Sequence, residues 1–216
     1  YRINGGEPII KKPYSEDLDF VYIKVEGEAQ ALEKVLRIID YYKNDFPFNS
    51  PDFQVLVPMY RGDAGIDNLN SCIQEKFNLE SFIVKKEKTA FKKNDKVMQL
   101  KNNYEKLIFN GEQGIIAGFD QEKKALKVNF DGSMVEYQVS ELEELTLSYA
   151  VSVHKAQGSE YDVLILVLLP SHSIMLNREL FYTAVTRARR KIFLISTDNT
   201  VNRAIENATP SKRKTL

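Results

Sequence analysis

The stretch "DVLILVLL", residues 162–169, limits the fold more than any other part of the chain. Seven consecutive aliphatic residues leave no polar face for water. A strand with this composition must be covered on both sides, as in the middle of a sheet clad by helices. The residues just before it are of the opposite kind. "SVHKAQGSEYD", 152–162, gathers Ser, His, Lys, Gln, Ser and Glu around Gly158. A polar, glycine-bearing loop therefore opens directly onto a buried strand.

The rest of the chain agrees with such a sheet. "DLDFVYIKVE" (17–26) alternates apolar and polar residues and reads as a strand. "GEAQALEKVLRIIDYYK" then places Ala31, Leu32, Val35, Leu36, Ile39 and Tyr42 at helical spacing. "FQVLVPM" (53–59) is a short buried strand ended by Pro58, and a helix carrying Leu69, Ile73 and Phe77 follows. Strand, helix, strand, helix calls for right-handed crossovers and a parallel sheet. After 145 the pattern resumes with "TLSYAVSV" as a strand, "DVLILVLL", a helix over 177–189, the strand "KIFLIS" and the closing helix "TVNRAIEN".

The middle of the chain differs. "DKVMQL" is strand-like and "KNNYEKLIFNGEQG" an irregular loop. "GIIAGFD", "KALKVNF" and "MVEYQVS" are short strands, the last two separated by Asp131-Gly132. Asp-Gly between alternating runs marks a hairpin, because a type I′ turn needs positive φ at both central residues. Residues 111–145 are expected to form a small β-barrel, too small to be stable alone. The expectation is an α/β fold over 1–110 and 146–216, with helices on both faces of the sheet and the barrel at 111–145 inserted in it.

Charge narrows the function less. Lys plus Arg and Asp plus Glu are 30 each, so net charge gives no sign of a polyanionic partner. Between 83 and 106, eight lysines face Glu87, Asp95 and Glu105. That run reads as a solvated face or as an approach to nucleic acid. A single Cys72, expected in the core, excludes an internal disulfide and a cysteine-based zinc site. No apolar run approaches the roughly 20 residues of a membrane span. "YRINGGEP" opens the chain without Met and reads as the interior of a longer protein.

Two places carry chemistry. Gly158 is either a turn glycine or the point where backbone N–H groups approach an anion at a strand end. Arg187, in "FYTAVTRARRKIFLIS", either caps a helix C-terminus or projects into a cleft to neutralise a transferred phosphoryl group. The other residues of these stretches have structural readings. Tyr149, Val151 and Val153 belong to the core and Tyr182 packs. Arg178 forms a structural ion pair, Arg189 and Arg190 face solvent, and His172 is inert.

"YAVSVHKAQGSEYD" and "LFYTAVTRARRKIFLIS" resemble motifs V and VI of superfamily 1 helicases, and more closely the RecD/TraA branch. "FQVLVPMYRGDAGIDNLN" resembles that branch's motif IV region. "NDKVMQLKNNYEKLIFNGEQGII" resembles the approach to its inserted SH3-like barrel, and "YRINGGEPI" the start of its second motor domain. The resemblance implies the second RecA-like domain of an ATP-dependent 5′→3′ DNA helicase, of the kind found as an exodeoxyribonuclease V alpha subunit in DNA repair and recombination. It implies Arg187 as the arginine finger, and Gln157, Gly158, Glu160 and Arg61 on the ATP side, with Glu160 toward the ribose. It implies Ser152, His154, Lys155, Asn102, Asn103 and Tyr104 along single-stranded DNA. The implied cofactors are ATP and Mg2+, held mainly by a first motor domain of the same protein. The implied partners are single-stranded DNA, that first domain, and recombination or repair proteins. No membrane is involved and the location is the bacterial cytoplasm.

The P-loop, G-x-x-x-x-G-K-[ST], occurs nowhere in the sequence. The chain is therefore expected to hold half of a catalytic site and no ATPase of its own. Two other readings compete. One is a non-catalytic nucleic-acid or protein-binding module whose working part is the barrel. The other is a UvrD-like 3′→5′ helicase, which shares a similar "TRA" motif.

Overall fold

The computed structural model describes residues 19–86, 89–173 and 175–207. Its first sheet has five parallel strands: β1 (Phe20–Lys24), β2 (Phe53–Leu56), β10 (Ala150–Val151), β11 (Tyr161–Leu168) and β12 (Ala188–Ser196), in the order β1-β12-β11-β2-β10. Residues 163–169 lie near the middle of this sheet and are almost wholly buried. Alternate side chains explain why. Val163, Ile165 and Val167 pack on one face with α1 (Glu28–Tyr42) and α2 (Ile66–Phe77). Leu164, Leu166 and Leu168 pack on the other with α3 (Arg178–Val185) and α4 (Asp198–Glu206). The sheet is RecA-like, with helices on both faces.

The second sheet is antiparallel: β5 (Lys96–Gln99), β6 (Gln113–Asp120), β7 (Ala125–Phe130), β8 (Ser133–Gln138) and β9 (Leu145–Leu147), in the order β8-β7-β6-β5-β9. The β7–β8 turn has φ +47° at Asp131 and +90° at Gly132, as the Asp-Gly pair requires. Its apolar face, with Val97, Ile116, Leu126, Val128 and Tyr137, is continuous with the α1/α2 core.

Several expectations need correction. "TLSYAVSV" is not one strand. Leu145–Leu147 pairs with β5 and Ala150–Val151 with β2, so the run passes from one sheet to the other through Ser148 and Tyr149. The helix expected over 177–189 stops at Val185. The Tyr161 N–H bonds the Arg187 carbonyl at 2.8 Å, and Ala188 pairs with Tyr161, so the sheet captures the residues that would have extended the helix. A hairpin, β3 (Phe82–Lys86) with β4 (Thr89–Lys92), was not legible under the lysine run. That run is no uniform solvated face: Lys92 and Lys96 are buried. Cys72 is half-buried rather than core, and Tyr182 is exposed. Residues 1–18, with "YRINGGEPI", and the tail after 207 lie outside the described residues. No helix among the described residues is long and apolar enough to cross a membrane.

Two buried charged groups join the sheets. Lys96 Nζ donates to Ser50 O (3.0 Å), Phe53 O (3.1 Å) and Gln54 Oε1 (2.9 Å), tying β5 to the start of β2. Gln54 Nε2 in turn donates to Ser148 O and Tyr149 O. Asp95 accepts from Gln74 Nε2, Asn78 Nδ2, Lys92 N and Tyr149 Oη, all at 2.6–2.7 Å. A buried polar group survives only when its bonds are made, and here they are.

Candidate nucleotide and nucleic-acid site

The loop 152–160 leaves the C-terminal end of β10 and enters the N-terminal end of β11. Val151 is level with Leu56, and Tyr161 stands two residues before Val163, which is level with Phe53. At about 3.3 Å per residue the loop thus spans roughly 16 Å of sheet height. Its first turn is capped by Ser152, whose hydroxyl accepts the Lys155 N–H at 3.2 Å and whose carbonyl accepts the Ala156 N–H at 3.2 Å. Ser152 is buried by this role, while His154, Gln157, Gly158, Ser159 and Glu160 are exposed. Gly158 has φ +87°, in the left-handed region where a side chain is disfavoured.

Arg187 meets the far end of this loop. Its Nη1 donates to Ser159 O at 3.2 Å and its Nε to Thr183 O at 3.2 Å, so the guanidinium bridges the loop and the last turn of α3. It is partly exposed and remains outside the apolar core. Of the two sequence readings of Arg187, this geometry contains the helix cap: the side chain bonds the last turn of α3 and the carbonyl of Ser159 at the edge of the loop. Beside it, Arg189 reaches Glu160 (3.3 Å), Asp162 (3.9 Å) and Asp52 (4.0 Å), and Arg190 reaches Asp162 (3.6 Å). The Glu160–Arg189 pair is half-exposed, and such pairs are worth under about 1 kcal/mol, so a ligand can exchange for either partner.

The loop borders two clefts. One, of about 400 Å³, lies toward α3 and is lined by His154, Gln157, Asn177, Glu179 and Thr183 among others. The other, of about 530 Å³, lies toward the mouth of the barrel and is lined by Phe109, Asn110, Gln113, His154, Lys155 and Gln157 among others. His154 and Gln157 face both. Lys155 Nζ donates to Asn110 Oδ1 at 2.5 Å across the second cleft.

The remaining candidates divide. Asn102 is exposed, and its Oδ1 accepts the Asn110 N–H at 2.9 Å, which links it to Lys155. Tyr104 is exposed beside it. Asn103 is committed to the loop: its Nδ2 donates to Glu144 Oε2 (3.0 Å) and its Oδ1 accepts the Lys106 N–H (3.0 Å). Arg61 is exposed on the loop after β2, at the opposite end of the sheet from Arg187, and the structure does not bring the two together.

Sequence reasoning missed Glu28. Its carboxylate, the first residue of α1, accepts from Asp63 N (2.7 Å) and Ala64 N (3.4 Å) and so fixes the loop that bears Arg61. A hydrogen bond from Ser171, with these backbone donors, holds it below the usual carboxylate range. Gly62, with φ +101°, lies so close that a Cβ there would stand 2.6 Å from Glu28 Oε2. The only advance signal was Gly62 itself. His172 is buried, its Nδ1 accepting the Leu169 N–H at 3.1 Å, and burial pushes its pKa down to about 4.

Residues 69–130 match the family model of the SH3 domain of ATP-dependent RecD-like DNA helicases. Residues 147–195 match that of the UvrD-like helicase C-terminal domain. The ATP-dependent RecD2 DNA helicase of Deinococcus radiodurans is 44% identical over 140 residues, 65% of this chain and 19% of that protein. The RecBCD enzyme subunit RecD of Mycolicibacterium smegmatis is 30% identical over 163 residues, 72% of this chain and 27% of that one. The chain thus spans only a minor part of the relatives it matches. A structure of Pif1 helicases, described for DNA unwinding at forked duplex DNA, superimposes with a TM-score of 0.51 at 18% identity over 87% of this chain and 50% of that one, a likeness of fold. In its sheet, its barrel segment and its relatives, this chain belongs with the C-terminal helicase region of RecD-like DNA helicases.

Proposed function

We propose that the chain is the second motor domain of an ATP-dependent 5′→3′ DNA helicase, supplying an arginine finger and part of a single-strand track. The observation that carries this reading is the single loop 152–160, which borders two clefts and ends against Arg187. Arg187, Gln157, Gly158 and Glu160 serve the nucleotide side. His154, Lys155, Asn102 and Tyr104 serve the strand side, with Ser152 and Asn103 shaping their loops. Arg61 acts on the nucleotide side only if its loop moves toward it.

The donor set fits half of a triphosphate site. Arg187 offers a guanidinium and the loop offers the N–H groups of Gly158 and Glu160, those of Gln157 and Ser159 being bonded to His154 O and Ala156 O, while the P-loop is absent from this sequence. Among the described residues no cluster of His, Cys, Asp or Glu suits a metal ion. In this reading magnesium and most phosphate contacts fall to a first motor domain of the same protein. When bound, the nucleotide would draw that domain onto the loop end at 157–160. The other end, at 152–155, would shift with it, and one element would thus couple two ligands. Polar contacts on the strand side suit a motor that must grip and release, because each phosphate neutralised by a cation adds a salt-dependent increment of affinity. We further propose that 111–145 is an insertion whose sheet borrows Lys96–Gln99 and residues 146–147 from the flanks, and that the protein acts in the cytoplasm.

The test is direct. The purified 216-residue chain should hydrolyse no ATP with magnesium present, yet bind oligothymidylate at low salt, and Lys155→Ala should weaken that binding. Magnesium-dependent turnover by the chain alone, abolished by Arg187→Ala, would refute the half-site reading.

A further inference from the structure

We propose that Tyr104 and Phe109, at the mouth of the barrel, form a stacking platform that holds one or two unpaired bases over the cleft facing the 154–159 loop. The inference rests on the DNA-track reading above and adds to it the surface that meets the bases. Tyr104 is 73% and Phe109 41% exposed, and their rings meet edge to face with centroids 6.1 Å apart. Aromatic area left in water on a braced loop marks an interaction site.

The loop is braced. Asn103 and Ile108 exchange backbone hydrogen bonds at 2.8 and 3.1 Å, and Ile108 is buried beneath them. The tip residue between them, Leu107, has φ +56° and is 71% exposed. A left-handed leucine is disfavoured by about 1–2 kcal/mol, and such residues concentrate where a surface must hold a particular shape. A chain of contacts then joins the platform to the loop beside Arg187. Asn102 Nδ2 approaches Tyr104 Oη at 3.4 Å, Asn102 Oδ1 accepts the Asn110 N–H, and Asn110 Oδ1 accepts from Lys155.

The occupant is a single strand rather than a duplex or a peptide. Every base has a free π-face only when unpaired, and aromatic side chains exploit it without regard to sequence. Phe109 lines the cleft, whose other walls are polar, with Lys155 as its cation. Glu112 also lines it, so the phosphates run on the Lys155 side and the bases turn toward the rings.

The chain contains no tryptophan, so Phe109→Trp introduces a single reporter. Titrated with oligothymidylate at low salt, its fluorescence should be quenched as a labelled strand gains anisotropy. An abasic deoxyribose-phosphate oligomer of equal length should bind more weakly and quench little. Tyr104→Ala should weaken binding about 5- to 100-fold, whereas Tyr104→Phe should retain it. Full-strength binding by Tyr104→Ala and Phe109→Ala, or an unquenched tryptophan on a bound strand, overturns the platform and leaves the DNA track standing. Absence of any anisotropy change overturns both. A concentration-dependent tryptophan shift without nucleic acid would assign the patch to a second copy of the chain and overturn the proposal.

Discussion

Asp95→Asn should destabilise the fold even though it removes a buried charge. The carboxylate is enclosed by four donors and no acceptor: Gln74 Nε2 and Lys92 N on one oxygen, Asn78 Nδ2 and Tyr149 Oη on the other. Burial, the largest influence on it, holds the carboxyl above the usual range, so ionising it already costs the folded state something. Neutralisation recovers that cost. It also turns one oxygen into an NH2 that faces donors. Gln74 and Asn78 cannot flip without losing bonds to Ala90 O and Lys93 O. Only the Tyr149 hydroxyl can rotate to accept. The best arrangement therefore still sets the Asn78 amide against an amide and leaves three bonds without charge assistance. A hydrogen bond to a charged group is worth about 1.5–3 kcal/mol and a stranded buried donor costs about 1–3 kcal/mol. Against the recovered desolvation we expect a net loss of about 2 kcal/mol. Tyr149→Phe, which removes one donor and strands nothing, should lose about 1 kcal/mol, and Asp95→Ala about 4 kcal/mol or more. Urea unfolding with unchanged m-values would measure the series. Asp95→Asn at or above wild-type stability would show that desolvation outweighs the four bonds, and the reasoning would be wrong.

His172 is held near a pKa of about 4, below its unfolded value, so the unfolded chain takes up the proton first; stability should be full above about pH 6.5 and fall by up to about 3 kcal/mol toward pH 4, and His172→Asn, which keeps an acceptor for Leu169 N–H, should flatten that slope. Burial pushes Lys96 down to about 7; the penalty for burying it charged is complete below that value and vanishes toward its unfolded pKa, so wild type should gain on Lys96→Met as pH rises from about 7 to about 10 in paired unfolding curves. Gly62→Ala adds positive-φ strain of about 1–2 kcal/mol and displaces the Glu28 carboxylate; hydrogen exchange at Asp63 and Ala64 should accelerate, with amides in β11 unaffected.

The sheet was legible because its period is written in single residues. The unbroken aliphatics at 163–169 allowed only a doubly covered strand, and Asp131-Gly132 allowed only a tight hairpin. The boundaries were less legible, because pairing rather than propensity sets them. Nothing in "TLSYAVSV" says that its halves belong to different sheets, since both halves are apolar and extended. Nothing in "TRARR" says that a helix yields to strand pairing at Ala188. The lysine run misled for a related reason. Composition counts Lys92 and Lys96 as solvated charge, but each has backbone carbonyls or amides to bond that are distant in sequence. At the candidate site, Gly158 and Arg187 were marked by residue type and position. Glu28 was not, because a glutamate at a helix start looks like any other until Gly62 is folded against it.

In the proposed function, Arg187 completes a nucleotide site whose other wall belongs to a P-loop domain. The most direct measurement is the ATPase rate of a polypeptide joining such a domain to this chain, with Arg187 or with Arg187→Ala. An arginine acting on the transferred phosphoryl group is worth about 10³- to 10⁵-fold in rate, so the variant should lose at least about a thousandfold while binding oligothymidylate within about twofold of the parent. A variant that keeps its rate within about tenfold would contradict the claim, and would leave Arg187 as the cap between Ser159 and Thr183 and nothing more.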